Sequence, residues 1–278
     1  MPCGYSDTMQ TSPLTITILG SGTSTGVPMI GCHCPVCSSD DPRDKRSRCS
    51  IVVAYHGQGA DRQILVDTTP ELRIQALANR IDRIDSVVFT HAHADHIFGL
   101  DDLRRYNAIN HAPLPLYADA AALNIIQRAF AYAFEPHEKV PGALYRPELI
   151  PHPIAGPFDL FGKKWIPIPM IHGRLSVLGF RIGGFAYCTD CNEIPPSSRA
   201  MLTSPEWGGP IDTLIIDGLR PTPHPTHLSF EQSVALIEEL HPRRAFFTHV
   251  AHNMTHADIE RDLPPHIRVL HDGLILTV

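Results

Sequence analysis

The chain has 278 residues, 43% hydrophobic and 19% charged, with a net charge of −6. That length sustains a sizeable core, and that composition excludes a disordered chain. The acidic balance excludes general attraction to nucleic acid or an anionic membrane, though not a small phosphorylated substrate held by metals. No apolar run is long enough to span a bilayer, and the start lacks a basic stretch followed by an apolar one. The expectation is a cytoplasmic protein whose residues 1–13 form a loose tail.

Leu14 to Leu19 alternates β-branched and apolar residues and predicts a strand. The glycine-rich stretch Gly20 to Pro28 follows. It lacks the Gly-Lys-Ser/Thr ending of a phosphate loop and opens no obvious helix, so its small residues are read as letting it lie close to a site. Cys32, Cys34 and Cys37 come next, three of seven cysteines. In a cytosolic setting this cluster reads as metal-binding before it reads as disulfide. After the charged connector Asp40 to Arg48, Ser50–Tyr55 and Gln63–Val66 predict a hairpin joined through His56-Gly57-Gln58-Gly59, with Asp67 at its end. A helix is expected from near Pro70, with Leu72, Ala76 and Leu77 on its inner face.

The strand Ser86–Phe89 runs into Thr90-His91-Ala92-His93-Ala94-Asp95-His96, where four metal-capable side chains fall within six residues. Imidazole and carboxylate suit Zn, Mn or Fe. On an extended backbone His91, His93 and Asp95 point one way and converge, while His96 points elsewhere and suggests a second metal.

Leu114–Ala118 predicts a strand, and Asp119 caps a helix carrying Ala122, Ile125, Ile126 and Ala129 inward. The proline-rich region Tyr132–Pro157 is read as a lid-like insertion. Phe158–Leu160, Lys164–Pro169, Ser176–Ile182 and Phe185–Cys188 predict four strands. Then Thr213–Ile216 ends in Asp217, an amphipathic helix covers Ser229–Leu240 with Val234, Ile237 and Leu240 inward, and Ala245–Thr248 ends in His249. Arg268–Leu270 and Leu274–Thr277 close the chain as strands. The expected class is α/β: a single domain, residues 14–278, of two mixed sheets face to face with outer helices. His172, Asp190 and His249 each follow a strand, as residues completing a site would. Cys188 and Cys191 are spaced as a Cys-x-x-Cys pair, but two thiols partly in a strand argue against a redox or zinc role.

The motif His91-Ala92-His93-Ala94-Asp95-His96, followed in order by His172, Asp190 and His249, resembles the metallo-β-lactamase-fold hydrolase superfamily. The resemblance covers nearly the whole chain and implies its four-layer αβ/βα sandwich. It also implies that His91, His93 and His172 hold one divalent metal and that Asp95, His96 and His249 hold a second. Asp190 would bridge the two. Asp95 then counts as a catalytic residue as well as a ligand, and Asp67 would brace the metal loop without touching metal. Four further features, the Gly20–Pro28 loop, the cysteine cluster, Gly99–Arg104 and Thr248–His252, resemble the phosphodiesterases of the carbon–phosphorus lyase pathway, which open a ribosyl 1,2-cyclic phosphate.

That closer resemblance implies a structural zinc on Cys32, Cys34, Cys37 and His252, a closed donor set suited to zinc. His33 and Cys49 are the alternatives for the fourth position. It further implies two active-site ions, Zn or Mn, a small phosphodiester substrate attacked by a metal-bridging hydroxide, and a homodimer. The spacing of His227 before His249 matches the family's general acid, with His224 as the competing candidate. Arg104, Arg105 and Arg174 are candidates for phosphate contact, each with a surface or structural role as the alternative.

Other readings stay open on the same fold. A tRNA 3′-end-type endonuclease lacks support from net charge and from any basic, glycine-rich arm. A thioesterase or lactamase would present a carbonyl to the same ligands. A non-catalytic metal-binding protein would not need a full ligand set.

Overall fold

Strand-forming sequence falls into two runs, and each run builds one sheet. In the computed structural model, which describes residues 13–135 and 145–278, the first run supplies β1 (Thr15–Gly20), β2 (Ser50–Gly57), β3 (Ala60–Val66), β4 (Ser86–Val88), β5 (Leu114–Ala118) and β6 (Leu149–Pro153). The second supplies β7 (Phe158–Leu160), β8 (Lys163–His172), β9 (Leu175–Ile182), β10 (Phe185–Cys188), β11 (Thr213–Asp217), β12 (Arg244–Thr248) and β13 (Ile267–Val269). The last strand, β14 (Ile275–Thr277), returns to the first sheet beside β1. Each sheet is seven-stranded, ordered β14-β1-β2-β3-β4-β5-β6 and β13-β12-β11-β10-β9-β8-β7. Both are mixed. β3 to β6 run parallel in one, β10 to β13 in the other, and the remaining pairs are antiparallel.

The sheets face each other across one core. Ile16, Ile18, Val53, Ile64 and Val88 from the first meet Trp165, Phe180, Phe185, Tyr187 and Phe246 from the second. The helices α1 (Leu72–Ala78), α3 (Leu103–Asn110) and α4 (Ala120–Ala129) lie outside the first sheet, over Val52, Leu65, Val87 and Leu116. Outside the second, α5 (Pro196–Thr203), α6 (Phe230–Leu240) and α7 (His256–Asp262) pack over Ile168, Ala186, Leu214 and Phe247. This is the expected four-layer αβ/βα sandwich of the metallo-β-lactamase type.

Details depart from the sequence reading. Leu77 and Ile125 are exposed. Helix α1 is only seven residues long, and its inner face is Leu72 and Gln75. Gln75 is buried because its amide bonds the Arg48 carbonyl and the hydroxyls of Ser47 and Thr69. In α4 the inner face is Ala122, Leu123 and Ile126, which turns Ile125 and Ala129 outward. Three helices unassigned from sequence, α3, α5 and α7, are short, with few apolar residues to reveal a period. Within the proline-rich stretch the edge strand β6 carries Pro151 and Pro153, which an edge position tolerates. The rest of the expected lid includes residues 136–144, outside the described residues, as are residues 1–12 of the expected tail.

One departure matters for chemistry. After His93 the chain does not stay extended. It turns into a one-turn helix, α2 (Ala94–Ile97), with His93 as its N-cap. The loop is pinned to the end of β3, where Thr68 N donates to the His96 carbonyl (2.7 Å) and Gly99 N to the Thr68 carbonyl (2.9 Å). A Cβ at Gly99 would collide with the Thr69 carbonyl and stand 2.9 Å from Leu72 Cβ. Gly99→Ala is therefore expected to destabilise the fold by about 1–3 kcal/mol, the usual cost of overpacking. Urea unfolding checks this, and an unchanged midpoint contradicts it.

Candidate metal-dependent active site

The site residues sit where strands stop, all but one of them strands paired in parallel. His91 and its neighbours follow β4, Asp190 follows β10, Asp217 ends β11, His249 follows β12, and His172 ends β8. Carboxyl ends of parallel strands on both sheets thus open onto one crevice, the usual place for a ligand in such sheets. Asp67, Asp190 and His249 all have positive φ, at 64°, 57° and 60°. That left-handed backbone is uncommon outside glycine and is held by surrounding structure, here at three residues of one site. A cavity of about 780 Å³ lies at the opposite end of the strands, between Leu14, Lys164, Trp207 and Arg243. Its lining carries none of these groups.

Two donor sets meet in the crevice. His91, His93 and His172 form one, and Asp95, His96, Asp190 and His249 the other, with the ligand atoms of each set within 4.8 Å of one another. The turn into α2 places Asp95 beside His96 and not with His91 and His93. The convergence of Asp95 with His91 and His93 expected from an extended strand is thereby corrected. Asp190 reaches both sides of its set, with Oδ1 3.1 Å from His249 Nε2 and Oδ2 3.4 Å from His96 Nε2. Thr189 Oγ1 donates to Asp190 Oδ2 at 2.7 Å and fixes its orientation.

Buried nitrogens test whether cations fit. His91 Nε2, His96 Nε2 and His249 Nδ1 are buried without a hydrogen-bond partner, while His249 Nε2 faces the Asp190 carboxylate. Leaving one such group unsatisfied costs about 1–3 kcal/mol, and several converging on carboxylates describe a coordination shell. Burial holds His91 well below its ordinary pKa, as it lowers His172, so both rings are neutral, the form that ligates. Burial opposes ionisation of Asp190, but His249 and His96 override it and hold its carboxyl well below the usual range.

Asp67 lies behind the loop and is in neither group of convergent ligand atoms. Its Oδ1 accepts from Thr90 N (2.9 Å), and its Oδ2 from Thr90 Oγ1 (2.8 Å) and His96 Nδ1 (2.8 Å). Because a carboxylate accepts, His96 donates from Nδ1 to Asp67 and turns Nε2 toward Asp95 and Asp190. Asp217 was not assigned from sequence, although it ends a strand as Asp67 follows one. Its Oδ2 accepts from His227 Nδ1 (2.7 Å) and Cys191 N (2.9 Å). The His227 ring stacks on His249 with centroids 4.4 Å apart and lies 4.7 Å from His172. His224 has no carboxylate partner; its ring is 5.3 Å from His227.

The cysteines form a separate centre. Cys32, Cys34 and Cys37 place their sulfurs 3.4, 3.3 and 3.5 Å from His252 Nδ1. A tetrahedral ion with ordinary zinc–sulfur and zinc–nitrogen lengths sets that edge at about 3.5 Å. The Cys37 amide and the His252 ring pull the Cys34 thiol down to about 6, while burial pushes Cys37 up to about 11. His33 points into solvent, and Cys49 Sγ is committed to the Gly22 carbonyl and Thr248 Oγ1, so neither alternative joins the cluster. Cys188 and Cys191 are buried among apolar residues, where burial pushes Cys188 to about 12. The Gly20–Pro28 loop does lie against the site: Gly22 bridges to Val250, next to His249. Arg104 is engaged with Asp101 and lies over Tyr145. Arg105 and Arg174 are exposed.

Residues 62–250 match the family model of the beta-lactamase superfamily domain. Among curated proteins, an octanoyltransferase of Porphyromonas gingivalis is 38% identical over 264 residues, 92% of this chain and 50% of that protein. Coenzyme PQQ synthesis protein B of Methylorubrum populi is 32% identical over 154 residues, 46% of this chain and 49% of that protein. The chain therefore spans about half the length of these curated relatives. Among solved structures, a new diphosphatase from the PhnP family is 42% identical with a TM-score of 0.85, covering 96% of this chain and 97% of the other. Zn(2+)-bound PqqB from Methylobacterium extorquens, 21% identical with a TM-score of 0.74 over 95% of this chain and 100% of that one, shows the shared fold. The chain belongs to the beta-lactamase superfamily of metal-dependent hydrolases, and within it to the PhnP family.

Proposed function

We propose that this protein hydrolyses a small phosphodiester, with His227 as general acid. In this reading His91, His93 and His172 hold one divalent ion, Asp95, His96 and His249 a second, and Asp190 lies between them. Zinc and manganese both suit these donors. Bound there, the ions supply Lewis acidity, lowering the pKa of a water and neutralising phosphoryl oxygens.

The observation that carries the choice of substrate class is the Asp217–His227 pair. A thiolate leaves a thioester readily, because a thiol has a pKa of about 8.5. An alkoxide leaving phosphorus is far more basic and needs a proton. Asp217 Oδ2, fully buried, accepts from His227 Nδ1 at 2.7 Å. It orients the ring so that Nε2 is turned away from Asp217, the position from which it would donate a proton to the departing oxygen. The 42% identical relative described as a diphosphatase also supports phosphorus as the electrophile. The octanoyltransferase relative favours an acyl substrate instead, but this chain spans only 50% of that protein.

His227→Ala is expected to lower turnover of a dialkyl phosphate by about 10²–10⁴-fold. Bis-p-nitrophenyl phosphate, whose leaving group departs without a proton, is expected to suffer far less. Asp217→Asn should follow the same pattern, and equal losses on both substrates rule out the acid role. For the cysteine centre, Cys34→Ser is expected to remove one zinc per chain by elemental analysis while the active-site pair stays. Unchanged zinc content refutes that assignment.

A further inference from the structure

His249 reaches across a strand to its carboxylate. It follows β12, yet its Nε2 lies 3.1 Å from Oδ1 of Asp190, which follows β10. The strand between those two in the sheet is β11. Asp217 ends β11, where it pairs in register with Thr248, the residue before His249. The His249 ring therefore passes the end of β11. An oxygen of Asp217, a ring nitrogen of His227 and a ring nitrogen of His249 all lie within 4.8 Å of one another. Asp217 and His249 are both fully buried.

The two oxygens of Asp217 are unequally used. Oδ2 accepts from His227 Nδ1 (2.7 Å) and Cys191 N (2.9 Å). Oδ1 is buried without a hydrogen-bond partner, and so is His249 Nδ1. An unmet buried acceptor costs about 1–3 kcal/mol, and more when it is charged. A neutral imidazole that gives Nε2 to a cation carries its proton on Nδ1, and away from water that N–H needs an acceptor. The orphan oxygen and the orphan nitrogen belong to residues of one cluster, and each is what the other lacks. In so small a cluster a slight approach, or one ordered water, joins them.

We infer that Asp217 is a positioning residue for the second ion as well as for the general acid: Oδ1 accepts the His249 Nδ1 proton while Oδ2 holds His227. The inference rests on the two-ion reading above and not on the choice of substrate. One carboxylate then fixes two stacked rings, with centroids 4.4 Å apart and planes 15° from parallel. His249 turns Nε2 to the ion, and His227 turns Nε2 to the leaving group. No proton passes through Asp217. Asp67 serves His96 alone, because its other hydrogen bonds go to the amide and hydroxyl of Thr90.

The test reads metal as well as turnover. Asp217→Asn keeps the size of the side chain but turns one acceptor oxygen into a donor. Zinc titration against a chromophoric chelator is expected to show one active-site ion held about 10–100-fold more weakly, the usual effect of removing a ligand's hydrogen-bond partner. In crystals of the variant grown at limiting zinc, the anomalous peak among Asp95, His96 and His249 should fade while that among His91, His93 and His172 stays. His227→Phe keeps a ring on His249 but loses Nδ1, and should leave both affinities at the wild-type value. Excess zinc should return Asp217→Asn turnover of bis-p-nitrophenyl phosphate toward wild type, but not its turnover of a dialkyl phosphate, because the ion is refilled while His227 stays misplaced. Unchanged affinity in Asp217→Asn, or equal fading of both peaks, overturns the inference and leaves the phosphodiesterase reading standing. An equal loss in His227→Phe overturns it too, since the stacked ring would then be what holds His249. Weaker zinc in Asp217→Asn, with equal losses of His227→Ala on both diesters, keeps the inference and removes the acid role. Should Asp217→Asn fail to fold, the crystal structure of the zinc-loaded wild type decides. Asp217 Oδ1 bonded to His249 Nδ1, directly or through one water, supports the inference, and Nδ1 bonded elsewhere overturns it.

Discussion

Everything at the active site depends on the buried carboxylate of Asp67. It sits at the end of β3 with positive φ and gathers three donors from the next strand end and the loop beyond it. Burial alone raises its pKa, and the His96 ring works against that rise. Because it bonds both the backbone of Thr90 and the ring of His96, it holds the start and the end of the metal loop in one geometry. Without it, His96 would lose its direction. Thr68 adds backbone bonds to the same segment, so the loop is fixed to the sheet by backbone and side chain together.

The second sheet repeats the device for a different purpose. Asp217, at the end of β11, accepts an amide from beyond β10 and a histidine Nδ1, as Asp67 accepts an amide from beyond β4 and a histidine Nδ1. In the first case the histidine faces the donor cluster. In the second it is His227, stacked on His249 and facing the crevice. Thr226 links two further histidines to this region, since its carbonyl accepts from His172 Nδ1 and its amide donates to His224 Nδ1. The cysteine centre stands outside this chemistry. By tying Cys32, Cys34 and Cys37 to His252, it anchors the long loop between β1 and β2 to the segment that carries His249.

Much of this was legible in the sequence because metal ligands are rare residue types placed at strand ends. His91, His93, Asp95, His96, His172, Asp190 and His249 could be named from residue type, strand position and family resemblance, and the structure brings them together in two sets. The path of the chain between them was harder to read. Four residues are too few to show a helical period, so α2 read as extended and strand alternation grouped Asp95 with His91 and His93, whereas the family resemblance grouped it with His96 and His249, the set the structure assembles. Leu77 and Ile125 looked inward by periodicity, but short helices choose their face by what they pack on, and Gln75 and Leu123 won those places. Asp217 and Thr226 were missed for another reason. An aspartate at a strand end is commonplace, and a threonine peptide has no sequence signature for the histidines it bonds. The pairing of Asp217 with His227 instead of His224 needed coordinates.

The central proposal is that two buried donor sets, oriented by Asp67 and Thr226, hold a pair of ions apart from the cysteine cluster. Anomalous diffraction from crystals grown with zinc or manganese tests it most directly. The account predicts two peaks about 3.5–4 Å apart in the crevice, the usual spacing of such pairs. One should lie among His91, His93 and His172, the other among Asp95, His96 and His249, with a third, distant zinc peak at Cys34. A single peak in the crevice, or ions bound with His96 Nε2 and His249 unliganded, would contradict it.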